Sequence, residues 1–281
     1  VTILRGGIGK GSLWNLAGLG LPLAVAVVAV PFIVRGLGVE RFGVLALTWA
    51  IIGVASILDF GIGRALTQVV ASRRAAGETE DLPALVLTAV VLLGALGVVG
   101  AAALAVLASS LSQDVFRIGP ALKAEAERAI VILGISLPFV LCGSAMQGVL
   151  EGHLRFDLSN LVRMPLLLLN YLAPLAMLPW TADLGWIVGG MVLTRCLGFA
   201  AYSILAWKLI SSPKAVTRFR LGMLIPVLRV AGWMSVSTLV AAAIVYLDRF
   251  AIAVLDSMSA VAFYATPYEI VSRLSLLAGA V

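Results

Sequence analysis

The chain has 281 residues, of which 62% are hydrophobic and 12% charged, with a formal net charge of +6, a pI near 9.7 and a mean hydropathy of +1.10. A soluble domain carries roughly 25% charged and about 45–50% apolar residues. This balance excludes a soluble enzyme, a disordered chain and a DNA-binding domain. The Lys and Arg residues do not cluster on one soluble module, so no nucleic-acid partner is expected.

A helix needs about 20 apolar residues to cross ~30 Å of hydrocarbon. Eight segments qualify, at 12–34, 43–63, 83–107, 129–150, 159–179, 184–207, 230–254 and 259–281. Runs such as 85–107 do not alternate, which excludes a barrel. The expected fold is an all-α integral membrane protein, a polytopic bundle of about 8 transmembrane helices with short loops.

In chain order, the first apolar run is longer than a signal-peptide core, has no A-x-A-like exit and carries one polar residue, Asn15. Gly36-Leu37-Gly38 with Glu40 and Arg41 separates it from the second span. That span closes on Asp59-Phe60-Gly61-Ile62-Gly63-Arg64, which puts both charges near a membrane boundary and makes 65–75 an interfacial extension. The stretch 109–128, with Asp114, Arg117, Lys123, Glu125 and Glu127, reads as a short amphipathic surface helix. Residues 151–160 separate the fourth and fifth spans, Trp180-Thr181-Ala182-Asp183 is a tight turn, and 208–220 is the most basic loop. The chain begins with Val and stops in an apolar run, so a piece of a longer protein is expected.

Cytoplasmic loops collect Lys and Arg. With the N-terminus inside, the cytoplasmic loops hold Arg5, Lys10, Arg73, Arg74, Arg155, Arg163, Lys208, Lys214, Arg218 and Arg220, and the outer loops Arg35, Arg41, Arg117, Lys123 and Arg128. Ten against five supports a cytoplasmic N-terminus.

A charge at the bilayer centre costs about 2.5–3.5 kcal/mol on the insertion scale, so charges within spans are candidates for function. Arg195 lies near the middle of the sixth span, where it either lines a polar cavity or makes a structural contact. Asp248 and Arg249 are adjacent in the seventh span and diverge by about 100° around a helix. Glu269 and Arg273 are spaced i, i+4 in the eighth, where they either neutralise one another or serve a ligand. Pro267 precedes them and kinks the helix. Asn15 and Asn170 fit the role of interhelical glue.

Several chemistries are excluded. Cys142 and Cys196 lie in apolar runs without a C-x-x-C motif, and His153 is the only histidine, so neither a disulfide framework nor a zinc site is expected. Gly9-Lys10-Gly11-Ser12 does not match a P-loop. No Ser/His/Asp arrangement occurs, so no enzyme, metal or cofactor is expected.

The run Asn15, Pro31 and 35–43 (Arg-Gly-Leu-Gly-Val-Glu-Arg-Phe-Gly) into 58–67 (Leu-Asp-Phe-Gly-Ile-Gly-Arg-Ala-Leu-Thr) resembles the N-terminal signature of bacterial polysaccharide and O-antigen flippases of the Wzx type. These belong to the multidrug/oligosaccharidyl-lipid/polysaccharide exporter superfamily. The stretches 150–160, 246–250, 261–264 and Pro267 agree with that family in the same order.

The resemblance implies two lobes of six helices related as a repeat. Residues 1–220 would be the first lobe with its following linker, and 221–281 the first two helices of a second. A shift of 219 residues pairs Trp14 with Trp233, Ala46 with Ala265 and Ile51 with Ile270, a faint trace of such a repeat. The resemblance further implies a transporter in the bacterial cytoplasmic membrane that flips an undecaprenyl-pyrophosphate-linked oligosaccharide by alternating access. A polysaccharide polymerase and chain-length machinery would be its partners. Arg195, Arg249, Arg273 and Arg64 would then face the pyrophosphate, and Asp59, Asp248 and Glu269 would balance charge or carry a coupling ion. The alternatives are a drug or cation antiporter of the same superfamily, a lipid II flippase, a membrane-embedded polymerase or glycosyltransferase, and a non-transporting assembly partner.

Overall fold

The structure, a computed structural model, describes residues 24–116 and 118–210, together with 222, 225–233, 235, 236 and 240. The chain divides into two compact units, Val25–Ser235 and a second made of Val1–Ala24 with Val236–Val281.

Helix α1 (Ala24–Leu37) stops at Gly38, whose φ of 81° admits the reversal into α2 (Val39–Ala55). A 3-10 turn (Ser56–Asp59) follows. Phe60 and Gly61 then both take left-handed backbone (φ 48° and 71°) and break the helix. The Asp59 carboxylate accepts the Gly61 amide at 2.7 Å and fixes the turn. The second apolar run is therefore not one helix over 43–63. Helix α3 (Ile62–Ala75) begins after the break and buries Ile62, Ala65, Leu66, Val69 and Val70.

Helix α4 (Leu82–Ser110) carries Pro83 in its first turn, where a missing N–H costs nothing. Its 29 residues span about 43 Å and pass into a π turn (Leu111–Val115). Next come α5 (Lys123–Ile135) and α6 (Leu137–Gly152), two halves of one span. They part where Pro138 has no N–H to donate to the Gly134 carbonyl. The segment 109–128 is thus not a surface helix: Lys123, Glu125, Glu127 and Arg128 form the first turns of a spanning one. Helices α7 (Phe156–Met177) and α8 (Leu184–Ile210) follow, and helical residues 225–233 add Val227 and Ala231 to the core. Among the described residues, four runs are long and apolar enough to cross a membrane: Leu82–Asp114, Lys123–Gly152, Phe156–Met177 and Leu184–Ile210.

Helix α6 packs against α3, α4 and α8. Lipid tails are as apolar as leucine, so helices in a bilayer associate through close van der Waals contact between small residues. Gly148 and Gly152, one turn apart on α6, meet α3. A Cβ on Gly148 would strike the Gly63 carbonyl, and one on Gly152 would lie 2.8 Å from the Thr67 carbonyl. On α4, Gly97 rests on the backbone of Pro138. Leu66, Leu85, Leu93, Met146 and Leu150 fill one core, and Ile33, Leu45, Leu133, Ile187 and Met191 a second. Trp180 and Trp186, at 80% and 69% exposure, flank the turn between α7 and α8, as interfacial anchors do.

Gly148→Ala should lower the melting temperature of the detergent-solubilised protein, because overpacking costs about 1–3 kcal/mol. Gly143→Ala, with nothing within 4 Å of the added Cβ, should leave it unchanged or slightly raised. Equal behaviour of the two variants would refute the seam.

Candidate functional site

The glycine seam opens at one end of the unit into a small cleft. It encloses about 120 Å³ and is lined by Asp59, Gly63, Arg64 and Thr67 on one side and Ser144, Gln147, Gly148 and Glu151 on the other. Gln147 and Glu151, four apart on α6, share a face, and the Gln147 amide donates to Glu151 Oε1 at 2.7 Å. The Ser159 hydroxyl of α7 donates to the same oxygen at 3.0 Å. Tyr202 of α8 donates to the Ser159 carbonyl at 3.3 Å. One carboxylate thereby ties α6 to α7, and Tyr202 extends the tie to α8.

Beside the cleft, the Arg74 guanidinium donates to the Gly152 carbonyl at 3.5 Å. His153 Nδ1 donates to the Val149 carbonyl at 2.9 Å. Burial lowers the His153 pKa below its ordinary 6.5, and the Arg74 charge adds to that.

The opposite end is held by a buried carboxylate. Glu125, 8% exposed, accepts Arg41 Nε at 3.2 Å on both oxygens and the Leu184 amide at 2.6 Å. That amide is one of the orphan donors at the start of α8, and Asp183 Oδ1 accepts a second, from Gly185, at 2.7 Å. Arg128 reaches Asp183 at 3.5 Å.

Arg195 lies between these ends. It is the twelfth residue of α8, about 16 Å from the helix start. Its guanidinium is half-buried and donates to the Ser136 hydroxyl at 3.4 Å, at the joint between α5 and α6. No carboxylate lies within ion-pair distance of it among the described residues.

Of the residues singled out from sequence, Asp59 and Arg64 share the cleft. Arg195 stands apart from them, and Asn170 is half-buried on α7. Asn15, Asp248, Arg249, Glu269 and Arg273 lie outside the described residues. Glu125, expected on a surface helix, is instead a buried junction, and Gln147, Glu151 and Ser159 are polar contacts that carry no functional motif in the sequence. Only the i, i+4 spacing of Gln147 and Glu151 signals such a pair in the sequence. No group of three His, Cys, Asp or Glu side chains able to hold a metal ion occurs among the described residues.

Glu125→Gln should keep an acceptor for the Leu184 amide while removing the charge facing Arg41. Glu125→Leu leaves both donors unmet and should cost about 1–3 kcal/mol more. Thermal unfolding of the two variants should rank wild type, then Gln, then Leu. A separate expectation concerns pH. With the folded-state pKa of His153 below 6.5, the unfolded chain binds more protons just below that pH. Stability therefore falls as pH drops from 6.5 through the lower folded-state value. His153→Asn should lose less stability between about pH 7.5 and 5.5 than wild type. An equal loss would show that His153 titrates alike folded and unfolded.

A family described as polysaccharide biosynthesis protein matches residues 8–280. A Shigella flexneri protein named "Putative O-antigen transporter" is 26% identical over 274 residues, covering 97% of this chain and 64% of its own length. The chain thus spans about two thirds of that relative. Among solved structures, an outward-facing multidrug resistance MATE family transporter of the MOP superfamily aligns with a TM-score of 0.73 at 18% identity, over 97% of this chain and 62% of that one. A MOP superfamily transporter from Pyrococcus furiosus, described by a binding pocket of reverse polarity, aligns with a TM-score of 0.68 at 19% identity, over 97% and 62%. These likenesses establish an all-helical MATE-type fold, and the match over 8–280 establishes that the chain belongs to the polysaccharide biosynthesis protein family.

Proposed function

We propose that the protein is the larger part of a flippase that carries a polyprenyl-pyrophosphate-linked oligosaccharide across the bacterial cytoplasmic membrane by alternating access. One observation carries the reading: Arg195 is a half-buried cation inside a spanning helix with a hydroxyl, and no carboxylate, as its partner among the described residues. A structural role would be met more cheaply by a neutral side chain, because desolvating an ion costs several kcal/mol. A pyrophosphate repays that cost, since a guanidinium fork matches phosphate oxygens in pairs. A glycosyl-pyrophosphate head cannot cross about 30 Å of hydrocarbon unaided, which is why a polar path through the protein is needed.

The family membership and the name of the Shigella relative support this substrate class. The cleft of Asp59, Arg64, Gln147 and Glu151 fits the cytoplasmic mouth, beside the basic residues Arg73, Arg74, Arg155 and Arg163. Arg249 and Arg273 extend the set of cationic candidates, with Asp248, Glu269 and Asp59 as charge-balancing or ion-coupling partners and Asn15 and Asn170 as polar span residues. A polysaccharide polymerase and chain-length machinery are its partners in this reading.

The test is translocation of a labelled undecaprenyl-pyrophosphate oligosaccharide by the full-length protein in proteoliposomes, with Arg195→Gln alongside. Transport by wild type and a loss of tenfold or more in the inserted variant is the expected result, equivalent to about 1.4 kcal/mol or more. Transport retained by the variant would make Arg195 structural. No transport by folded wild type of several such lipids would overturn the flippase and turn attention to cation efflux, which the carboxylates Asp59 and Glu151 would suit.

A further inference from the structure

Most polar side chains within the described spans are satisfied by their own helix. Thr48 donates to the Leu45 carbonyl at 2.7 Å, Thr88 to Ala84 at 2.6 Å and Thr194 to Met191 at 2.7 Å. Two buried side-chain atoms among the described residues depart from this rule, Ser203 Oγ on α8 and Trp49 Nε1 on α2, and only the second sits in a cluster of aromatic rings. Trp49 Nε1 is fully buried and has no hydrogen-bond partner. The ring of Tyr171 meets that of Trp49 edge-on, with centroids 5.3 Å apart, and Phe42 meets Trp49 from another side at 6.2 Å. Tyr171 and Asn170 are both half-buried, and neither makes a hydrogen bond among the described residues. Pro174 lies four residues after Asn170 and has no N–H to donate to the Asn170 carbonyl.

The contact of Trp49 with Tyr171 thus brings together an indole donor and a phenol, and Asn170, with a carboxamide and a proline-freed carbonyl, is the neighbouring residue of Tyr171 on α7. Trp49 is ten residues into α2, about 15 Å from its start, and Asn170 is seven residues before the end of α7, about 10 Å away. Asn170 thus lies well inside a helix long and apolar enough to span, and a buried donor such as Trp49 Nε1 costs free energy when it has no partner. Packing accounts for the rings, but phenylalanine and leucine would fill the same space without that cost. The groups are neutral, so they do not select for the charge of a pyrophosphate. Hydroxyls both donate and accept, as this set requires, and the C–H faces of a sugar ring suit aromatic walls.

We propose that Trp49, Tyr171 and Asn170 form a sugar subsite, which holds a neutral, hydroxyl-rich ring of the transported head group between α2 and α7, apart from Arg195. The proposal rests on the flippase reading above. Its test uses the full-length protein in nanodiscs and two probes: undecaprenyl pyrophosphate bearing a disaccharide, and undecaprenyl pyrophosphate alone. Trp49→Phe, Tyr171→Phe and Asn170→Leu each remove hydrogen-bonding groups, the last two while nearly keeping volume. Each should weaken the disaccharide lipid about three- to tenfold and leave the sugar-free lipid unchanged. Tyr171→Phe, which keeps the ring, guards against a variant that fails to fold. Equal weakening of both probes would reduce the cluster to a packing brace and overturn the subsite. Unchanged binding of both would overturn it too, while leaving the flippase standing. Binding of neither probe by wild type would overturn the flippase reading and the subsite with it.

Discussion

The approach of the Gly148 Cα to the Gly63 carbonyl decides much of the rest. In a bilayer no solvent drives apolar faces together, so contact area and backbone proximity must hold helices in register. The seam sets α3 flat against α6 and fixes the rotation of α6. Gln147 and Glu151 then turn toward α3, and Glu151 is within reach of Ser159 on α7. The cleft is a consequence of this rotation: two helices close enough to touch backbones diverge at their ends, and polar residues occupy the gap. The left-handed Phe60 carries a strain of order 1–3 kcal/mol. It persists because its surroundings hold it, with Asp59 accepting the Gly61 amide and the Ser235 hydroxyl donating to the Phe60 carbonyl.

The other end uses charge where this one uses shape. The ion pairs Arg41–Glu125, Arg128–Asp183 and Arg155–Asp157 are not equal. Arg155–Asp157 and Arg128–Asp183 are largely solvated, and such pairs contribute about 0–1 kcal/mol. Glu125 is buried and bonded to a helix amide as well as to Arg41, so removing it strands two donors at once. It therefore joins α2, α5 and the start of α8, while Arg128–Asp183 lies exposed at the same end and Arg155–Asp157 at the start of α7.

The spans were legible in the sequence because hydrocarbon thickness sets a length that apolar runs must meet, and the runs ending α4, α7 and α8 lie within a few residues of the helices. What was hidden follows from the same physics. Glu125 sits among alternating charges, a pattern that looks like a solvated face, and only its partners 84 and 59 residues away make it an interior group. The break at Phe60-Gly61 depends on a backbone conformation that non-glycine residues seldom adopt. Asp59 and Arg64 were legible as boundary charges, but their cleft was not, because Ser144, Gln147 and Glu151 come from a helix some 80 residues later. Trp49 and Tyr171 gave no signal at all: aromatic residues in apolar runs are ordinary, and an unmet indole N–H has no signature in composition.

Polar groups in a membrane protein are best weighed by whether they are satisfied, not by how polar they are. Thr48, Thr88 and Thr194 lie in spans and carry no message, since each bonds to its own helix. Ser136 donates to the Leu133 carbonyl at 2.7 Å and still accepts from Arg195, so it explains part of the guanidinium's environment but supplies no charge. Apart from the buried Ser203 hydroxyl, two chemically distinct sets stand out on different helices. One is a cation on α8 with its charge unbalanced among the described residues. The other is a neutral aromatic and amide cluster across α2 and α7. A glycosyl-pyrophosphate has the same division, an anionic neck and a neutral hydroxyl-rich ring. A ligand whose only charge is positive offers no anion to Arg195, so the two unsatisfied sets together fit the proposed lipid-linked sugar better than either does alone.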